Sequence, residues 1–270
     1  MDRNAVVRRS VILGTPLVIG LLDLTHPTFT KEVGIYRGVL AHVDWWIALH
    51  LIQIPLFGLL GLAGCLLLDG VAGAAARVGR VALALFAVVY PAFDTLIGVA
   101  TGILVKNGAK LPADQQATIA QALDVFWKSP VAFTVASTGS AAWRIGLLAV
   151  ALALSRPRGR YSLVVFVTFI AVIVGFVGSP IGFGTPVWWV AILGTSAAFA
   201  LVTQPSVPTG LFILSSFLLA ADHAPPLGPL GMLCFFLAAL SVTLFPQWLP
   251  EPVRRANEKP PSPRWKGAGG

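Results

Sequence analysis

Residues 46–68, WIALHLIQIPLFGLLGLAGCLLL, form a run of 23 residues without a formally charged side chain. An α-helix needs about 20 mainly apolar residues to cross the roughly 30 Å hydrocarbon layer of a bilayer. This run is therefore long enough to be a transmembrane helix. The sequence predicts about eight such spans (six to eight), at roughly residues 10–26, 46–68, 79–105, 130–154, 161–181, 186–203, 207–221 and 227–246.

The composition supports the same class of protein. Of 270 residues, 56% are hydrophobic and only 11% are charged, against about 25% charged in an ordinary soluble domain. The net charge is +8, but the basic residues stand in short clusters between apolar runs, which is typical of topology signals rather than of a nucleic-acid surface. We predict an all-α, polytopic membrane helix bundle in contact with the lipid bilayer, with no nucleic-acid partner.

The distribution of basic residues predicts the orientation of the bundle. With eight spans and a cytoplasmic N-terminus, 13 Lys and Arg residues fall inside and five outside, as the positive-inside rule requires. Both termini are therefore predicted to be cytoplasmic. Residues 1–249 are predicted to be a single transmembrane domain, and residues 250–270, which are basic and rich in Pro and Gly, a disordered cytoplasmic tail.

One polar stretch between two spans has a helical pattern of its own. Within residues 113–127, Ile119, Leu123, Phe126 and Trp127 recur at helical spacing among polar residues. This pattern predicts a short amphipathic helix on the outer membrane surface. We expect this helix to rest on lipid. The alternative is that it covers a cavity on the outer side of the protein.

The histidines of the chain all fall on the outer side of this topology, and each segment that carries one also carries a carboxylate. Histidine is the commonest metal ligand, and a neighbouring carboxylate can bind the metal or orient the imidazole. The site predicted from these residues binds zinc, iron or copper, or haem b with His50 as the axial ligand. The alternative to a metal or haem site is that these histidines lie at the membrane interface, where they contact water and lipid headgroups. The candidate metal ligands are His26, His42, His50, His223, Asp44 and Asp222.

Two charged residues lie deeper in the predicted spans. Asp94 lies about 16 Å from the outer end of the third span and Arg144 about 21 Å into the fourth, counted at the helical rise. A charge near the middle of a membrane is costly unless it is paired. We therefore predict an ion pair between Asp94 and Arg144, either catalytic or purely structural.

Three classes of function follow from these residues. The first is a metal- or haem-binding protein with redox or hydrolytic chemistry on the outer side, which we favour. The second is a transporter of a small molecule or ion in which Asp94 carries a proton and Arg144 is its counter-charge. The third is a non-catalytic subunit with membrane-protein partners. The pattern loosely resembles multi-helix bacterial membrane proteins with histidines near the outer ends of early helices, which implies a bacterial inner membrane.

Overall fold

A computed structural model of the chain describes residues 3–30, 32–155, 186–204, 206–245 and 251. Within these ranges the chain is helical and contains no β-strand, and five helices are long and apolar enough to cross a membrane. The prediction of a helical membrane bundle is confirmed. The helices, numbered in chain order, are α1 (Arg3–Asp23), α2 (Ile35–Leu40), α3 (Val43–Leu67), α4 (Ala74–Gly108), α5 (Ala113–Trp127), α6 (Pro130–Leu154), α7 (Pro186–Val202), α8 (Val207–Ala221) and α9 (Leu227–Leu244).

Seven of the eight predicted spans coincide with described helices. Helices α1, α3, α4, α6 and α9 have the length of a full crossing, whereas α8 is a shorter apolar helix of 15 residues. The span predicted at 161–181 lies outside the described residues, as does nearly all of the tail predicted at 250–270.

Six of the helices pack side by side in a closed ring. Along the ring α1 contacts α3, α3 contacts α4, α4 contacts α6, α6 contacts α8, α8 contacts α9, and α9 returns to α1. Large apolar side chains fill the core, among them the fully buried Phe57, Phe86, Trp143, Phe212 and Phe235. We call the end of the ring where α1 ends and α9 begins the histidine end.

Glycines allow α3 and α4 to approach each other closely, as small residues do at contacts between membrane helices. A Cβ added at Gly61 would lie 2.7 Å from both the Cβ of Ala87 and the carbonyl oxygen of Leu83. Nearer the histidine end, a Cβ added at Gly98 would overlap the imidazole of His50. The ring of His50 therefore fits into space that only a glycine leaves open.

The path of α4 changes next to its internal proline. Pro91 is followed by one π-helical stretch, Asp94–Val99, and the Thr95 hydroxyl donates to the carbonyl oxygen of Pro91 at 2.8 Å. Such π-helical turns occur mostly as single insertions in α-helices, often at functional sites. Here the turn begins at Asp94, which is 1% exposed.

Helix α5 covers the predicted range of the surface helix, but its apolar face lies on protein. Leu123 is 1% exposed and packs in a small core with Tyr36, Val39, Trp46 and Val105. Helix α5 therefore covers an apolar surface of α2 and the end of α4, and its position relative to lipid stays a prediction.

Candidate metal site

Three histidines from separate parts of the chain converge at the histidine end. His26 follows α1, His50 lies two turns into α3, and His223 lies between α8 and α9. One ring nitrogen of each lies within 4.8 Å of a ring nitrogen of the other two. The ring centroids are 4.8 Å apart for His26 and His223, 5.2 Å for His26 and His50, and 6.2 Å for His50 and His223. The ring of helices makes this possible, because α1 and α9 are neighbours.

Hydrogen bonds at Nδ1 orient these imidazoles. The Nδ1 of His50 donates to the carbonyl oxygen of Trp46 at 2.7 Å, and that of His26 to the carbonyl oxygen of Pro27 at 2.9 Å. A carbonyl only accepts, so the proton of each neutral ring is on Nδ1 and Nε2 keeps its lone pair. The Nδ1 of His223 lies 3.4 Å from the Tyr90 hydroxyl. The Nε2 atoms of His26 and His223 are buried and have no hydrogen-bond partner.

Burial keeps these imidazoles neutral. It lowers the pKa of His26 below its usual value, although the Pro27 carbonyl and the charge of Asp222 act in the opposite direction. Burial, with the nearby imidazoles of His26 and His50, holds the pKa of His223 well below its usual value. Metal ions bind neutral imidazole, so these rings are already in the protonation state that a metal requires.

Two buried carboxylates lie beside the histidines. One Oδ atom of Asp94 is 3.9 Å from the Nε2 of His50, and neither of its carboxylate oxygens has a hydrogen-bond partner. Asp23, at the end of α1, is fully buried and accepts a hydrogen bond from Gln53 at 2.7 Å. One oxygen of Asp23 also lacks a partner, but of these two carboxylates only Asp94 lines the cavity between the histidines, where it can interact with a ligand that they hold.

The histidines and Asp94 line a cavity of about 370 Å³. Its polar wall also includes Ser140, and its apolar wall includes Phe93, Ile97 and Trp127. The indole of Trp127 donates to the Thr101 hydroxyl at 3.0 Å, so α5 contributes to the wall.

Trp46 belongs to the same wall, although its place in a Trp-Trp pair predicts a residue of the membrane interface. It is 3% exposed, and its indole donates to the carbonyl oxygen of Gly98 at 2.8 Å. The sequence could have predicted this position of Trp46 from its spacing. Trp46 lies four residues before His50, so both residues share one face of α3. The roles of Gly98 and Trp127 have no comparable signal.

Of the other predicted ligands, His42 and Asp44 lie away from the three histidines, whereas Asp222 lines the cavity. His42 is exposed at the start of α3, and Asp44 is exposed and pairs with Lys106 at 2.7 Å. Eight residues separate His42 from His50, about 12 Å at the helical rise, which is too far for one metal site. Asp222 lines the cavity but is exposed, and its carboxylate accepts a hydrogen bond from the Ala224 amide at 2.9 Å.

The predicted ion pair between Asp94 and Arg144 is not formed. Asp94 faces His50 on α3, whereas the Arg144 guanidinium lies over the ring of Phe217 on α8, 5.4 Å from its centroid. The two residues lie on neighbouring helices, as predicted, but they point toward different neighbours.

The chain matches no protein-family profile, no curated protein and no solved structure. What the protein does must therefore be inferred from the geometry of this cavity.

Proposed function

We propose that the chain is a membrane metalloenzyme that holds one zinc ion on His26, His50 and His223 and hydrolyses a substrate bound in the cavity. The observation that carries this proposal is the convergence of three imidazoles whose Nδ1 atoms each face a hydrogen-bond partner, together with the unpartnered Nε2 atoms of His26 and His223. Such an arrangement is expected for metal ligands, because a hydrogen bond from Nδ1 to a carbonyl oxygen, as in His26 and His50, fixes the tautomer and leaves the lone pair on Nε2.

The donor set fits zinc. Catalytic zinc sites use three protein ligands and keep one position open, and zinc–nitrogen bonds of 2.0–2.1 Å in a tetrahedron place the nitrogens about 3.3 Å apart. The candidate ligand nitrogens of the three histidines lie within 4.8 Å of one another, so zinc binding would draw the rings closer together. No cysteine or methionine is among the described residues that line the cavity, which favours zinc over copper.

A single ion also fits better than haem b. The three imidazoles contact one another edge to face, with interplanar angles of 73° to 89°. A haem held between two of these rings needs a planar gap that the described side chains do not leave. We therefore assign His50 to the metal ion rather than to a haem.

The surrounding side chains have defined roles in this proposal. Held by the three histidines, zinc would supply a bound water of lowered pKa and would polarise the scissile carbonyl. Asp94 accepts the proton of the attacking water, because its oxygens have no competing hydrogen bond. Tyr90 holds the ring of His223, and the backbone carbonyls hold His26 and His50. The positive-inside count supports a site on the outer side of the membrane, which we propose is a bacterial inner membrane.

Metal analysis tests the zinc site. We expect protein purified in mild detergent without chelator to contain stoichiometric zinc by inductively coupled plasma mass spectrometry. His50→Ala and His223→Ala should lose it, and His42→Ala should retain it as the matched control, because His42 is exposed and apart from the site. Folded protein free of metal even after zinc is supplied would overturn the proposal.

Hydrolysis of a p-nitrophenyl ester by the zinc-loaded protein tests the reaction. Asp94→Asn should keep its zinc and lower kcat by about 10²- to 10⁴-fold, the usual contribution of a general base. Asp114→Asn, at an exposed position of α5, is the control. Equal activity in wild type and Asp94→Asn would exclude Asp94 as the base.

A second candidate, proton-coupled transport, is favoured by one observation. Asp94 is a buried carboxylate in a membrane-spanning helix, without a hydrogen-bond partner and at a π-helical turn. This alternative predicts pH-driven solute uptake into proteoliposomes that Asp94→Asn abolishes and that chelators leave intact. Uptake that depends on zinc would count against it.

A further inference from the structure

Arg144 lies in the middle of the bundle. It is 14 residues from the start of α6 at Pro130 and ten residues from its end at Leu154, which correspond to about 21 Å and 15 Å at the helical rise. Its side chain is partly buried, and its Nε atom is enclosed and has no hydrogen-bond acceptor. A charge at this depth is costly and marks a functional site unless a counter-charge is present.

Arg144 has no counter-charge among the described residues. Among the described residues no carboxylate lies within ion-pair distance of it, and Asp94 faces His50 instead. The sequence from 130 to 221 contains no Asp or Glu, so neither α6 nor the segment that follows it offers one. The ring of Phe217 lies 5.4 Å from the guanidinium, and such a cation–π contact compensates a buried charge only in part.

The position of Arg144 relates it to the cavity. Ser140, one turn before Arg144 on α6, lines the cavity, and so does Ala221, one turn after Phe217 on α8. Helix α6 runs away from the histidine end and α8 runs toward it. Arg144 and Phe217 therefore lie together about one helical turn, roughly 5.4 Å, beneath the cavity and between the same two helices.

We propose that Arg144 binds the carboxylate group of a small organic acid whose apolar body occupies the cavity above it. A single guanidinium balances one negative charge and binds a carboxylate through two parallel hydrogen bonds. A phosphate dianion would leave one charge unbalanced at this depth. This inference rests on the proposed function only in so far as the bound acid reacts at the histidine end. Binding of the anion at Arg144 itself needs no metal.

Ligand-dependent thermal stability of the metal-free protein in detergent tests this inference. We expect hexanoate to raise the unfolding midpoint in a saturable way, and uncharged hexanamide and inorganic phosphate to leave it unchanged. Arg144→Gln should weaken hexanoate binding by about tenfold or more, which is the loss of one charge-assisted contact. Arg144→Lys should retain part of the affinity for hexanoate, because lysine keeps the positive charge. Arg77→Gln, which changes an exposed arginine at the opposite end of the ring, should bind like wild type.

A chemical measurement on the wild type covers the case in which Arg144→Gln does not fold. Phenylglyoxal modifies arginine side chains, and hexanoate should protect Arg144 but not Arg77, as read by mass spectrometry. Protection of neither residue, or of both equally, would overturn the inference, as would unchanged hexanoate binding in Arg144→Gln.

His50→Ala separates this proposal from the zinc proposal. Hexanoate binding should persist in this variant although its zinc is lost. If wild type holds no zinc but hexanoate binding depends on Arg144, the zinc proposal fails and the anion site stands. If hexanoate binding requires His50 and not Arg144, the anion site fails.

Discussion

Gly98 controls the position of the proposed ligand His50 without being a ligand itself. The imidazole of His50 occupies the space that a Cβ at position 98 would fill, and the carbonyl oxygen of Gly98 receives the indole hydrogen bond of Trp46. Trp46 in turn accepts the Nδ1 hydrogen of His50 on its own carbonyl oxygen. One glycine thus contacts both the imidazole and the residue that orients it.

This arrangement predicts the effect of Gly98→Ala. The added methyl group should displace the His50 ring and weaken zinc binding about 10- to 100-fold, the range seen when groups that orient a ligand are changed. Gly61→Ala is the matched control, because it introduces a similar clash between α3 and α4 far from the site. Both variants should lose stability by about 1–3 kcal/mol, but only Gly98→Ala should lose zinc affinity in a competition titration with a chelator. Equal zinc affinities would show that Gly98 acts through packing alone.

At the residue scale, the sequence predicts which histidines share one side of the membrane but not which ones meet. His26, His50 and His223 converge, whereas His42 remains exposed. The difference depends on the order of helices around the ring, which brings residue 26 next to residue 223. Hydrophobic periodicity contains no information about that order, because each helix has the same apolar requirement in a membrane.

Helix α5 is an element whose place in the fold has a consequence for the site. Its residue Leu123 is anchored in the small core beside α2, and its last residue, Trp127, lines the cavity at 6.5 Å from the ring of Trp46. The helix therefore covers one side of the metal site.

Detaching α5 should expose the metal. Leu123→Ala removes a fully buried side chain, which typically costs about 2–5 kcal/mol, and we expect faster loss of zinc to EDTA with little change in the amount of zinc bound. Val125→Ala is the control on the same helix, because Val125 is 66% exposed. A rate of zinc loss that is the same in both variants would argue that α5 does not cover the site.

The lengths of the elements were more predictable than their orientations. Apolar runs predicted the ends of the described spans to within five residues, except that α1 begins seven residues earlier than predicted, because crossing a bilayer sets a length that can be counted. The failed pairing of Asp94 with Arg144 shows the limit. Their depths could be counted along the helices, but the direction of each side chain depends on the neighbours of α4 and α6 and on the π-helical stretch at Asp94.

At the scale of the whole molecule, the proposed metal site lies where the helical ring closes. His26 follows α1, His223 lies in the connection that leads into α9, and the contact between these two helices closes the ring. A zinc ion on these residues links a segment near the N-terminus with one nearly 200 residues later. Because the unfolded chain does not hold the three imidazoles together, binding favours the folded state.

This linkage predicts that zinc stabilises the protein as a whole. At a free zinc concentration 100-fold above Kd, the gain is about 2.7 kcal/mol, so chelator-treated protein should unfold at a lower temperature and regain stability when zinc is restored. His42→Ala should respond like wild type, and His50→Ala should show no response to zinc. Hydrogen exchange adds a local readout: amides at 24–30 and 222–224 should be protected by zinc, whereas those at the far end of α6, near residue 154, should change little. If zinc still raises the unfolding temperature of His50→Ala, the ion binds elsewhere. The three histidines would then not be the source of the stabilisation.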